Sequence, residues 1–300
     1  MTSIRKRGLS YALLLMASVV FGWHSLVTTL GLALGNDAYT HLILIIPLSA
    51  ALAYLDLKDK NPHTLSTEPQ QSHRCGAVLL ALTLLIACYA RWGMPSAGED
   101  IRLSVAMFAM VAWWISSVIF CFGVRVFRSL LLPLFLLFLL IPIPTFALNA
   151  IVQWLQHGSA WMAAFLFHVV GEPAHRDGIF IYLNRSELHI EVAEECSSIR
   201  SSCLLVVSTI VLAHLFLRSG WRKLVLVMIA IPLSVAKNGL RIFVIAELGT
   251  RVDPGFLVGS FHRQGGIVFL LIALGAVAIL LAMLHRGEAH MPLLDAAAPR

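Results

Sequence analysis

Gly266-Ile-Val-Phe-Leu-Leu-Ile-Ala-Leu-Gly-Ala-Val-Ala-Ile-Leu-Leu-Ala-Met-Leu-His285 contains no Lys, Arg, Asp or Glu. A run of about 20 apolar residues is what an α-helix needs to cross a hydrocarbon core roughly 30 Å thick. Seven more such runs lie at 9–34, 40–55, 75–92, 103–123, 127–143, 200–217 and 221–237. Together they predict an all-α fold, a polytopic transmembrane helical bundle of about eight spans. Composition agrees: of 300 residues, 59% are apolar and 13% charged, where a soluble domain has roughly a quarter charged. The net charge of +6 is scattered among loops, which points to membrane orientation and not to nucleic acid. The chain reads as one integral membrane domain over 1–286 and a cytoplasmic tail over 287–300.

Arg5-Lys6-Arg7 precedes the first apolar run. That run is too long for a signal-peptide core, so it reads as an uncleaved first helix. A ninth apolar stretch, 145–170, carries Gln153, Gln156, His157 and His168 and follows Ile141-Pro142-Ile143-Pro144. The prolines stop a helix there, and the stretch reads as re-entrant or interfacial. Segment 56–74 is polar and reads as a loop. With eight spans and the N-terminus inside, 13 basic residues fall in the cytoplasm (5, 6, 7, 58, 60, 74, 125, 128, 218, 222, 223, 286, 300) and 9 outside. Counting 145–170 as a full span would put the basic cluster 218–223 outside, against the charge rule. Gly178 to Val192 alternates polar and apolar residues in its second half around an Asn184-Arg185-Ser186 turn. It predicts a β-hairpin within the loop 171–195, outside the membrane.

That hairpin leads into Glu194-Glu195-Cys196-Ser197-Ser198-Ile199-Arg200. Ionisable groups beside a bilayer are costly, and function is the first hypothesis for them. Four of the five cysteines (75, 88, 121, 203) lie in or beside apolar runs, where a thiol behaves as a small hydrophobe. Only Cys196 has charged neighbours. It is the candidate nucleophile, since a cation or a helix N-terminus lowers a thiol pKa. Glu194 and Glu195 oppose that effect, so a further cation is required. Arg241, in Lys237-Asn238-Gly239-Leu240-Arg241, has the planar donors to hold an oxyanion. It reads as the outer end of a helix, where the competing role is a snorkelling anchor. His262, in Phe261-His262-Arg263, is the candidate acid and base; the competing role is an interfacial histidine with a local hydrogen bond. Glu195, Arg200, Asn238 and His189, with Tyr182, are candidates for shaping the mouth of the site. HExxH and C-x-x-C are absent, and the reading assigns no metal and no cofactor.

Val192-Ala-Glu-Glu-Cys-Ser-Ser-Ile-Arg200 resembles the Cys-Ser-Gly-(Leu/Ile)-Arg block of the exosortase/archaeosortase family. Lys237-Asn-Gly-Leu-Arg-Ile242 is similar to that family's second block, and Phe261-His262 to its third. Asn36-Asp-Ala-Tyr-Thr-His41 resembles the family's region before its second helix. Ser198 stands where the family often has Gly, and Glu195 where it often has Ala, which marks a divergent subfamily. The resemblance implies a membrane cysteine transpeptidase with Cys196, Arg241 and His262 as its catalytic set. It implies exported protein substrates carrying a C-terminal motif, an apolar helix and a basic cluster. It also implies residence in a bacterial inner membrane with the site on the outer, periplasmic face. Besides these substrates, the expected partner is membrane lipid.

Two other classes stay open. A glutamate-type intramembrane protease carries Glu-Glu-xxx-Arg; after Glu195, Arg200 comes one place late. A transporter or glycan-pathway protein places charges in the middle of its spans, whereas here the sequence predicts them at helix ends.

Overall fold

The computed structural model describes residues 2–58, 70–183, 188–192, 199–253, 255–258 and 266–290. They form two compact units, 1–148 and 149–300. The first holds α1 (Thr2–Phe21), α2 (Trp23–Gly35), α3 (Leu42–Lys58), α4 (Gln70–Cys88), α5 (Glu99–Phe122), α6 (Val124–Ser129) and α7 (Leu131–Leu136). The sequence predicts one helix over 9–34, but the chain breaks at Gly22 and α2 leaves α1 at 75°. Backbone bonds run on through the break, from Gly22 N to Ser18 O at 2.8 Å and from Leu26 N to Gly22 O at 3.0 Å. Met110 of α5 packs against the break. Two indoles of α5 hold α1: Trp113 Nε1 donates to Leu14 O at 3.0 Å and Trp114 Nε1 to Ser18 Oγ at 2.8 Å.

The predicted span 127–143 is also not one helix. It divides at Leu130 into α6, α7 and a 3-10 turn, Leu137–Leu140. Pro133 lies in the first turn of α7, where its missing N–H costs nothing. The Ile141-to-Pro144 stretch does end the helix, and side chains from elsewhere in the first unit take up two of its carbonyls. Ser104 Oγ donates to Pro142 O at 2.7 Å and Tyr39 Oη to Ile143 O at 2.9 Å. Thr145 N donates to Asp100 Oδ2 at 2.9 Å.

The second unit carries most of α8 (Thr145–Val169), then β1 (Ala174–Asp177), β2 (Phe180–Leu183), β3 (Leu188–Glu191), α9 (Ile199–Phe216), α10 (Gly220–Arg251), the short α11 (Gly255–Val258) and α12 (Gly266–His290). The sheet is antiparallel in the order β1-β2-β3. β2 and β3 are the predicted hairpin, with Tyr182 opposite His189. β1 is an addition. It is polar, without alternation, so its own residues give no strand signal. The turn after it does, because Asp177-Gly178 is a hairpin dipeptide and Gly178 takes φ 60°. Ile181 and Leu183 point inward, onto Ala160, Ala163 and Phe167 of α8 and Ile242 and Ala246 of α10.

On α12, Phe269, Ala273, Val277 and Leu281 recur every four residues and are buried. Ala273, Val277 and Leu281 meet Leu205 and Ala213 of α9 and Leu226 of α10. The other faces are bare: Ile267 and Ile279 are each 67% exposed, the surface a bilayer would cover. α12 runs on to His290, past the 286 boundary read from sequence.

Among the described residues, five helical segments are long and apolar enough to cross a membrane, or up to seven if each of two bent pairs is one span. The bent pairs are α1 with α2, and 131–140 with α8. α3, with 17 residues, falls outside that set. The protein is a transmembrane helical bundle with a small sheet.

α4 and α5 approach closely at Gly76, where a Cβ would lie 2.5 Å from Phe120 Cα. Gly76→Ala therefore forces the helices apart and destabilises the first unit by about 1–3 kcal/mol. Gly31→Ala, with nothing within 4 Å, holds or raises stability through helix propensity. Apparent melting temperatures in one detergent compare the two; an unchanged melt for Gly76→Ala would contradict this packing.

Candidate active site

α10 organises the site. The sequence predicts that its span ends at 237 and that Arg241 caps the outer end. Instead the helix continues without a break through Gly239 to Arg251, 32 residues in all. Gly239 permits this: a Cβ there would lie 2.5 Å from Met162 Cβ of α8. Gly158 of α8 matches it, with Val235 Cγ1 2.9 Å from where its Cβ would be. Small residues let two helix backbones meet where no side chain fits.

The continuous helix also corrects the expectation that the charges gather at helix ends. Lys237 and Arg241 are interior to α10 and buried, at 5% and 6% exposure. Helix length reconciles the two pictures. Trp221, Arg222 and Lys223 open α10 with the residues that anchor a helix at a membrane interface. At 1.5 Å per residue, Lys237 and Arg241 lie roughly 26 and 32 Å from Gly220, about the thickness of the hydrocarbon core. The helix outlasts the span, and the charges lie near the level where the span ends.

Each of these cations reaches the start of another helix. The Lys237 ammonium donates to Ser201 Oγ on the first turn of α9. Beside that bond, Ser234 Oγ donates to Ser202 Oγ at 2.6 Å. Arg241 Nη1 is 3.7 Å from where a Cβ would stand on Gly266, the first residue of α12. Asn238 is buried at 1% exposure. Arg200 is exposed on the first turn of α9.

Cys196, Glu195 and His262 lie outside the described residues, as do Glu194 and Ser198. Their flanks are described. Val192, fully buried, donates its N–H to Ile179 O at 3.1 Å. It receives the Gln156 amide on its own carbonyl at 2.9 Å. So the chain entering 193–198 is fixed at Val192, and it resumes as α9. His189 lies across the sheet from Tyr182, whose ring stacks on His175 at 6.4 Å between centroids. The 36–41 block belongs to the first unit. There Asn36 Oδ1 accepts from Ala38 N at 2.9 Å and His41 Nδ1 lies 3.1 Å from Ala38 O.

Gln156, Ser201, Ser202 and Ser234 were not singled out from sequence. A signal for one of them exists: Ser234 falls at helical spacing with Lys237 and Arg241 on one side of α10.

Gln156→Leu removes the amide from a buried carbonyl, at a cost of about 1–3 kcal/mol. Its apparent melting temperature falls, whereas Gln153→Leu, at an exposed position of the same helix, melts as wild type. Equal melts for both would mean that Gln156 does not hold Val192.

No curated protein and no solved structure matches this chain. The model of the transmembrane exosortases matches residues 23–279, a span that takes in the 36–41 block, the hairpin, α9, α10, the 261–262 block and most of α12. On that match the chain belongs to the transmembrane exosortase family.

Proposed function

We propose that this exosortase is a membrane-embedded cysteine transpeptidase. It cleaves the C-terminal sorting signal of exported proteins and passes them to an acceptor through a thioester. The observation that carries the reading is on α10. Its two buried cations reach the first turns of the helices that follow Cys196 and His262.

In this mechanism the apolar helix of the substrate lies against the spans, with its basic end cytoplasmic and the scissile bond at the outer face. The Cys196 thiolate attacks the carbonyl. Arg241 holds the oxyanion, its guanidinium kept in place by burial in α10. The tetrahedral intermediate collapses, the C–N bond breaks, and His262 protonates the leaving amine. An amine or water on the outer side then resolves the thioester. Arg200, Asn238, Tyr182, His189 and Glu195 line or support the mouth in this reading.

Cys196→Ala and Cys196→Ser abolish processing of a co-expressed substrate while the protein accumulates in the membrane. Cys75→Ala, exposed on α4 of the first unit, is silent. Processing by the Cys196→Ala variant would refute the proposal.

Arg241→Lys keeps the charge but not the planar donors, and loses about a hundred- to a thousandfold in rate, roughly 2.7–4 kcal/mol. Arg251→Lys is the control: Arg251 is exposed and pairs with Glu247 at 2.7 Å one turn back, a contact that lysine can replace. Normal turnover by Arg241→Lys would return that residue to the role of helix anchor. His262→Ala leaves slow processing that rises with pH as thiolate forms unaided. A flat profile would remove His262 from the proton path.

A further inference from the structure

The first unit holds a cavity of about 800 Å³ between the bent α1–α2 pair, α4 and α5. The reaction just described makes no use of it. Pockets that enclose a small ligand run to roughly 300–1,000 Å³, so this one is large enough for an occupant. Its wall suits a hydrocarbon chain. Phe21 of α1, Leu84 and Ala87 of α4, and Leu103, Ala106 and Met110 of α5 supply most of it. The hydroxyls of Ser18, Thr28 and Thr83 also face the space, but each donates to a backbone carbonyl of its own helix. None has a proton left to give. His24 and Ser25, on the first turn of α2, are the other neutral polar groups of the lining besides the Trp113 indole, which is bonded to Leu14 O.

The charged residues of the lining belong to one end. Arg91 follows α4 in a π turn, Tyr89–Gly93, and Glu99, Asp100 and Arg102 stand in the first turn of α5. Tyr89 and Trp92, both exposed, flank Arg91, and aromatic residues of this kind sit at a membrane–water interface. From Asp100 the lining continues along α5 to Trp113, a distance of about 20 Å at 1.5 Å per residue. One leaflet of the hydrocarbon core is roughly 15 Å deep. The cavity therefore runs inward from an interface for about the depth of a leaflet.

The two bases at its mouth have donors to spare. Asp100 Oδ2 is taken up by Thr145 N at 2.9 Å. Glu99, almost wholly exposed, comes no closer than 4.0 Å to Arg102, and such a pair is worth little in water. Arg91 has the Trp92 ring 5.9 Å away and no carboxylate partner among the described residues. A guanidinium carries five N–H donors in a fork that matches a phosphate. We infer that the cavity is a phospholipid site: one acyl chain lies along α5 toward Trp113, and the phosphate is held at the mouth by Arg91 and Arg102. The second chain stays in the bilayer. A glycerophospholipid joins the two features that the lining selects, a chain one leaflet long and an anionic group at the interface. Gly22, where α1 gives way to α2, also lines the space, so the bound chain fills the angle of that bend.

The test is native mass spectrometry of the full-length protein, delipidated in detergent and then titrated with phosphatidylglycerol or with diacylglycerol of the same chains. Wild type retains a single phosphatidylglycerol and binds diacylglycerol weaker by about tenfold or more, since the charge-assisted bonds are lost. The double variant Arg91→Gln with Arg102→Gln binds phosphatidylglycerol as weakly as wild type binds diacylglycerol. Arg74→Gln, exposed on the first turns of α4 and outside the cavity lining, binds it as wild type does. Ala106→Phe places a ring in the path of the chain and abolishes retention. Should that variant not accumulate, Ala87→Leu narrows the same path from α4 and takes its place. Equal affinity for the two lipids, or no loss in the double arginine variant, would mean a crevice that accepts any apolar chain and overturns the inference. Full retention by the path-blocking variant would place the lipid elsewhere on the surface and overturns it too. The measurement uses no substrate and no residue of the second unit, so it stands or falls apart from the Cys196→Ala test.

Discussion

Two positive charges one helical turn apart, inside a helix with apolar surroundings, are the constraint to which the second unit answers. Both side chains are buried, Lys237 at 5% and Arg241 at 6% exposure. The helices around them close in: a serine hydroxyl on α9 accepts from Lys237, α8 packs against Gly239, and the first residue of α12 lies beside Arg241. Arrangements of this kind are expensive to build and tolerate little change. The sheet, by contrast, is held by ordinary apolar burial of Ile181 and Leu183 and by the Gln156 amide on Val192.

Apolar runs gave away most helices, because a bilayer demands lengths that few soluble cores need. What they hid was where a run breaks or outlasts the membrane. Gly22 and Leu130 interrupt apolar stretches with no proline or charge at the break itself. Only tertiary packing, such as Met110 against Gly22, fixes the bend. In the other direction, Lys237-Asn238-Gly239 looks like a stop by composition. It is passed through because backbone bonding within a helix is indifferent to side-chain polarity once neighbours satisfy the polar groups. The hairpin was legible from period-two alternation; β1 was not, since it has none.

The candidate site was legible only as chemistry, for a related reason. Cys196, Arg241 and His262 stand out chemically, as rare residue types against an apolar background. Lys237 was visible as a charge near the site but had no evident role. Its partner is a serine, a residue too common to attract notice, and the bond joins positions 36 apart in sequence. Gln156 lies just as far from Val192. Contacts of that range belong to the packing of helices and leave no local pattern to read.

One dimension of α10 has a wider meaning. A helix of 32 residues that runs on past Pro232, keyed to one interface by Trp221, Arg222 and Lys223, is a ruler. Its reach, about 48 Å, exceeds the hydrocarbon core by more than half. The height of Arg241 relative to the far lipid surface is then set by bilayer thickness as much as by the protein. In a thin membrane the guanidinium rides above the acyl chains; in a thick one it sinks among them, or the helix tilts to compensate. Lipid chain length thereby bears on the depth of Arg241 without touching any residue around it.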